Sequence, residues 1–211
     1  MSRTRQRLDP LAPDPAGIAA AVAVLRRGGV VAYPTDTLYG LAVDPRNDAA
    51  VERLFAVKGR DASSAIPLIA ADAAMAEGVA AGGFGPVERR LASAFWPGPL
   101  TIVVPAAGGL AAALSPRGTL GVRVPSHLVA RSLSAALGAC ITATSANLTG
   151  RPPAVTADEV AATLGDLVDF FIDAGPAPGG APSTVVEVVE GRPLLHRVGA
   201  VAWNRVLESV E

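Results

Sequence analysis

Short apolar runs alternate along this chain with segments whose apolar residues recur every three or four positions. The runs read as buried strands and the periodic segments as amphipathic helices. Asp14 and Pro15 read as the N-cap and first residue of a helix carrying Ile18, Val22 and Leu25, which Gly28-Gly29 ends. Residues 30–33 form a buried strand stopped by Pro34, and 48–57 a helix with Val51, Leu54 and Phe55 on one face. Further strands are expected at 66–70, 100–104, 120–124, 140–144, 168–172, 185–189 and 194–198. Further helices are expected over 73–80, 86–95, 128–137 and 202–210, and the capping box Thr156-Ala157-Asp158-Glu159 opens another to Leu164. Several strands succeed each other too closely for a helical crossover. The pattern therefore predicts an α/β domain with a twisted sheet of mixed parallel and antiparallel strands and flanking helices. Residues 1–13 read as a flexible or loosely docked arm and 14–211 as one domain without internal repeats.

Composition narrows the class. Half the residues are hydrophobic but only 4% are aromatic, so the core must be built mainly of Ala, Val and Leu. The 18 Pro and 22 Gly predict abrupt turns, and the Gly/Pro-rich stretch 175–182 reads as a mobile loop or lid. A net charge of −1 gives no overall basic field for nucleic acid, although a local basic groove stays open. The single Cys140 excludes an internal disulfide, and between Ala139 and Ile141 it reads as a buried thiol. No apolar run reaches membrane-spanning length, and the N-terminal arginines are not followed by a signal-type apolar region. The expectation is a soluble cytoplasmic protein.

Polar clusters stranded between the apolar runs carry the candidate chemistry. Thr35-Asp36-Thr37 closes a strand and offers either a ligand contact or an ordinary turn. Lys58-Gly59-Arg60 puts two cations at a helix C-terminus, either for an anion or as a solvated end complementing the helix dipole. Arg123, alone in the apolar run Gly121-Val122-Arg123-Val124, must find a carboxylate or phosphate, either on a ligand or on an Asp or Glu of the fold. Thr142, Thr144, Ser145 and Asn147 crowd small donors and acceptors at one strand end. There is no Walker loop and no Gly-x-Ser-x-Gly elbow around Ser145. His127 and His196 lack metal-ligand spacing, and His127 reads as a helix cap or surface residue. If these strand ends converge, they do so around a ligand.

In order, the run 33–41 (Tyr-Pro-Thr-Asp-Thr-Leu-Tyr-Gly-Leu), Lys58-Gly59-Arg60, the turn 95–101 (Phe-Trp-Pro-Gly-Pro-Leu-Thr) and Ser145-Ala146-Asn147 resemble the motifs of the YrdC-like family, the threonylcarbamoyl-AMP synthases. The likeness extends over residues 28–199. It implies one positively lined central cavity in which L-threonine, bicarbonate and ATP give threonylcarbamoyl-adenylate and pyrophosphate. The product would feed a tRNA-modifying transferase complex acting on adenosine beside the anticodon. By the resemblance, Lys58 and Arg60 are catalytic, and Thr37, Arg123 and Ser183 hold L-threonine. Lys58, Arg60, Thr119, Ser145, Asn147 and Arg197 hold the nucleotide, with Mg²⁺ riding on its phosphates and no protein metal site. The sequence departs from the family pattern twice. Ser64 stands where a Lys or Asn is usual, and Arg197-Val198-Gly199 replaces Arg-Pro-Gly. Two alternatives stay open: a non-catalytic RNA-binding module on this fold, and a paralogue making another carbamoyl or acyl adenylate.

Overall fold

The computed structural model describes residues 4–59 and 65–211. Strands β1 (Thr4–Arg7), β2 (Val31–Pro34), β3 (Tyr39–Ala42), β8 (Thr144–Ser145) and β9 (Phe170–Asp173) form one sheet in the order β1-β9-β2-β3-β8. Strands β4 (Leu68–Ile69), β5 (Leu100–Pro105), β6 (Thr119–Arg123), β7 (Ile141–Thr142), β10 (Thr184–Val189) and β11 (Arg192–Arg197) form a second, ordered β11-β10-β5-β6-β4-β7. Both mix parallel pairs, such as β2 with β9 and β5 with β10, with antiparallel ones. The mixed pairing is as expected, but the strands divide between two sheets rather than joining one.

Helices α1 (Pro15–Arg26), α2 (Asp48–Lys58), α3 (Ala73–Glu77), α4 (Pro86–Phe95), α5 (Leu128–Leu137), α6 (Ala157–Leu164) and α7 (Trp203–Glu208) flank the sheets. Their starts follow local chemistry. Asp14 accepts from the backbone N–H of Ala16 and Gly17, and Thr156 and Glu159 complete a reciprocal capping box. The 30–33 run shows why it carries no polar residue. Val31 and Tyr33 pack in a core with Leu25, Leu133 and Ile172 from α1, α5 and β9. Val30 and Ala32 face the other way, into a larger core with Leu54, Leu100 and Val122. Period-two alternation is hidden because both faces are buried.

The segment expected as a loose arm is different in structure over 4–7. β1 pairs in parallel with β9, Thr4 opposite Phe170 and Arg7 opposite Asp173. Leu8 follows it into the core, and its backbone N–H donates to Asp173 at 2.8 Å. A polar edge strand anchored by one apolar residue leaves little pattern to detect. Leu8→Ala should cost about 2–5 kcal/mol by loss of a buried side chain and partial cavity formation. A urea titration checks this, and an unchanged midpoint would mean that the strand is merely adherent.

Strand β3 was also not expected, since Gly40 and Ala42 dilute its apolar signal. The expected 140–144 strand is two short pieces, β7 in one sheet and β8 in the other, with Ala143 between them. This crossing brings the two sheets' ends together at one place.

Candidate active site

At that junction lies a cavity of about 410 Å³, a volume suited to a small organic ligand. Its wall takes residues from the β2–β3 turn, the β6 end, β8 and the loop after it, the 180–183 segment and β11. These are the polar strand ends that the sequence scatters along the chain.

The β2–β3 turn is closed by Thr35. Its hydroxyl donates to the Leu38 carbonyl at 2.7 Å and accepts from the backbone N–H of Thr37 and Leu38, each at 3.2 Å. Thr37 lines the cavity, with its hydroxyl 3.1 Å from that of Thr35. The turn thus does both things the sequence left open: it is an ordinary hydroxyl-closed turn, and it presents Thr37 to the hollow.

Arg123 ends β6 on the cavity wall and is 7% exposed. Its Nη1 lies 3.4 Å from Asp36 Oδ1, yet neither atom has a hydrogen-bond partner. Asp36 offsets the guanidinium charge without taking a hydrogen bond from it, so the donors of Arg123 remain available to a ligand acceptor in the cavity. Arg197 stands at the rim. Its Nη2 donates to the Ser183 carbonyl at 2.8 Å and to the Ser183 hydroxyl at 3.1 Å, and that hydroxyl lies 2.9 Å from Thr101 Oγ1. Partial burial of the guanidinium, and then the charge of Arg123, lower the pKa of Arg197. Two cations close enough to oppose each other mark this end of the hollow for an anion.

Across the cavity, Lys58 ends α2 almost fully buried. Its Nζ donates to the carbonyls of Ser145 (2.5 Å) and Asn147 (2.6 Å) and to Asn147 Oδ1 (2.7 Å). The Ser145 hydroxyl also donates to Asn147 Oδ1 at 2.6 Å. Lys58 therefore staples the loop that carries Ser145 and Asn147 and places its charge directly behind it. The loop over 175–182 is tied down as well: the Gly179 N–H donates to the Thr37 carbonyl at 2.9 Å, and the Ala177 N–H to the Val155 carbonyl at 2.8 Å.

Tyr33 and Tyr39 complete the wall, donating to the carbonyls of Thr142 (3.0 Å) and Gly175 (2.7 Å). Burial pushes the Tyr39 phenol up to about 12 and Tyr33 higher still, so both stay neutral donors. His127, the residue before α5, makes no side-chain cap and has a buried Nδ1 without a partner. Burial lowers its pKa, against the pull of nearby Asp36.

Residues 23–199 match the Sua5/YciO/YrdC family model, described as "Telomere recombination". The chain belongs to this family. A threonylcarbamoyl-AMP synthase of Chromohalobacter salexigens is 42% identical over 84% of this chain and 95% of its own length. A putative threonylcarbamoyl-AMP synthase of Mycobacterium leprae is 37% identical over 99% of this chain and 95% of its own. The crystal structure of P. abyssi Sua5 complexed with L-threonine superposes with a TM-score of 0.91 at 30% identity, covering 99% of this chain. This chain spans only 61% of that longer protein.

Of the positions carried over from the Sua5/YciO/YrdC motifs, the structure brings Thr37, Arg123, Ser145, Asn147, Ser183 and Arg197 to one cavity. Lys58 stands behind the Ser145–Asn147 wall rather than in it. Thr119 begins β6, opposite Pro105 at the far end from Arg123, and is not brought to the cavity. Arg60 and Ser64 lie outside the described residues. Three polar wall residues lie inside the motif runs but were given no role there: Tyr33, Tyr39 and Thr101. Thr101 carried a usable signal, since it is a hydroxyl inside an apolar strand, as Arg123 is a charge inside one. The two tyrosines look like plain core residues. Cys140 is buried, and its thiol is pushed up to about 12 by burial. Among the described residues, no helix is long and apolar enough to cross a membrane.

Proposed function

We propose that this chain joins L-threonine, bicarbonate and ATP into threonylcarbamoyl-AMP, releasing pyrophosphate, in the service of tRNA threonylcarbamoyladenosine formation. The observation that carries this reading is the pair of arginines, Arg123 and Arg197, that line one cavity together with Ser145 and Asn147, whose loop is backed by Lys58.

The chemistry asks for assembly more than for a nucleophilic side chain. The threonine amine attacks bicarbonate, losing water, to give an N-carboxylate. One oxygen of that group attacks the α-phosphorus of ATP, and pyrophosphate leaves with the electron pair of the broken P–O bond. Both partners are anions, so neutralisation and alignment are the tasks. Arg123 takes the threonine carboxylate, while Thr37 and Ser183 supply hydroxyls beside it. Arg197, next to Ser183, stands where the amino acid meets the triphosphate. Ser145 and Asn147 bind the nucleotide, and the Lys58 charge behind them raises the local potential. By the family pattern Arg60 is assigned to the nucleotide as well. Mg²⁺ would travel with the phosphates; among the described residues no cluster of three or more His, Cys, Asp or Glu side chains offers it a separate cage. The product passes to a transferase that modifies adenosine in tRNA.

An RNA-binding module without catalysis fits less well, because the most buried cation of the cavity cannot reach a phosphate backbone outside it. The test is a pyrophosphate-release assay with purified protein. Release is expected only when threonine, bicarbonate, ATP and Mg²⁺ are all present. Release that ignores threonine would overturn the reading, and turnover with another amino acid in its place would point to a different carbamoyl adenylate.

A further inference from the structure

Behind the cavity wall sits a group that the reaction does not require and the fold does not explain. The Asp36 side chain is 8% exposed and does not line the hollow. Its Oδ2 accepts from the Ser126 backbone N–H at 3.1 Å and from the Ser126 hydroxyl at 3.4 Å. Its Oδ1 is left without a hydrogen bond and faces Arg123 Nη1, which is also left without one, at 3.4 Å. A buried Asp–Arg pair in a structural role would close into a two-bonded fork. This one is held just short of that. The carboxylate is pinned on its far oxygen by a different element, the residue before His127 at the head of α5. The guanidinium keeps its charge balanced but its donors uncommitted.

We infer that Asp36 is a positioning residue for the amino-acid subsite, holding Arg123 from behind so that free N–H groups face the incoming carboxylate. This rests on the reading of the cavity given above. Asp36 also offsets one of the two facing arginine charges, which suits the site to a single carboxylate.

The test uses the full chain with Asp36→Asn, which keeps shape and removes charge, and Asp36→Glu, which restores charge. In Asp36→Asn the threonine KM should rise roughly 10- to 100-fold, as for loss of a charged hydrogen-bonding partner. The ATP KM and the kcat at saturating threonine should stay within about threefold, since the nucleotide wall is untouched. Asp36→Glu should recover most of the threonine affinity. A folded Asp36→Asn with an unchanged threonine KM overturns the inference, as does a uniform fall in kcat and both affinities. Should Asp36→Asn fail to fold, the wild-type threonine complex decides. Arg123 is expected to reach the ligand carboxylate at hydrogen-bonding distance while Asp36 keeps its Ser126 bonds. A carboxylate bound away from Arg123, or an Arg123 that leaves Asp36 to meet it, overturns the inference. Wild-type turnover that depends on threonine, with Asp36 indifferent, refutes the positioning role alone. Wild-type turnover indifferent to threonine refutes the underlying reading as well.

Discussion

Arg123→Ala will raise the threonine KM by roughly 100-fold while ATP binding persists, because it removes a recessed charged donor that no neighbour can replace. Initial rates of pyrophosphate release against threonine, at saturating ATP, measure the shift; an unchanged KM would take Arg123 out of substrate binding. The same change leaves Asp36 as a buried charge without its partner and should lower stability by about 3 kcal/mol. Arg123→Ala combined with Asp36→Asn should recover much of that stability and none of the threonine affinity. The double variant thus separates folding from recognition, which the single variant confounds.

Gly199→Ala is the second large effect. A methyl group at Gly199 would stand 2.5 Å from the Ser183 carbonyl carbon and from the Thr184 nitrogen, and closer still to the Pro182 oxygen. All three are backbone atoms and cannot step aside as a flexible side chain would. The segment is pinned besides, since Ala200 donates to the Pro182 carbonyl at 2.9 Å and Val201 to Thr184 Oγ1 at 3.0 Å. The clash should cost about 1–3 kcal/mol. It should also push Arg197 away from Ser183, lowering kcat/KM for threonine roughly tenfold by misplacement. Thermal melts and steady-state rates check both. An unaltered melting temperature would mean that the chain can part here at no cost. The close approach also holds the chain beside Arg197 against the Pro182–Thr184 backbone, next to the Ser183 groups that Arg197 binds.

Most of the architecture was readable because it rests on local rules. Asp14, Thr156 and the apolar faces of α1, α2 and α5 announce their helices in neighbouring residues, and 30–33 and 100–104 are too apolar to lie anywhere but inside, whereas 185–189 ends at the surface with Val189 exposed. What escaped was set by distant partners. β1 is a strand only because β9 has an open edge beside it. The division of 140–144 between two sheets depends on β3 and β4, which lie far off in sequence. The cavity followed the same division. Arg123 and the Ser145–Asn147 loop stood out as polar groups that apolar surroundings could not tolerate. Lys58 looked like a residue facing a phosphate, yet its ammonium is spent on carbonyls of that loop. Thr119 was assigned by family pattern alone, and strand direction puts it at the wrong end of β6.

The pairing of Thr4 with Phe170 has a meaning for how this protein is made. A nascent chain leaving the ribosome cannot close the sheet that holds β1 until β9 has been translated, and Arg197 emerges later still. Until then the sticky residues 30–33 lack their β9 neighbour, and such long-range closure is intrinsically slow. Synthesis at low temperature or with added chaperone should therefore improve yield of the intact chain more than it would for a helical protein of equal size.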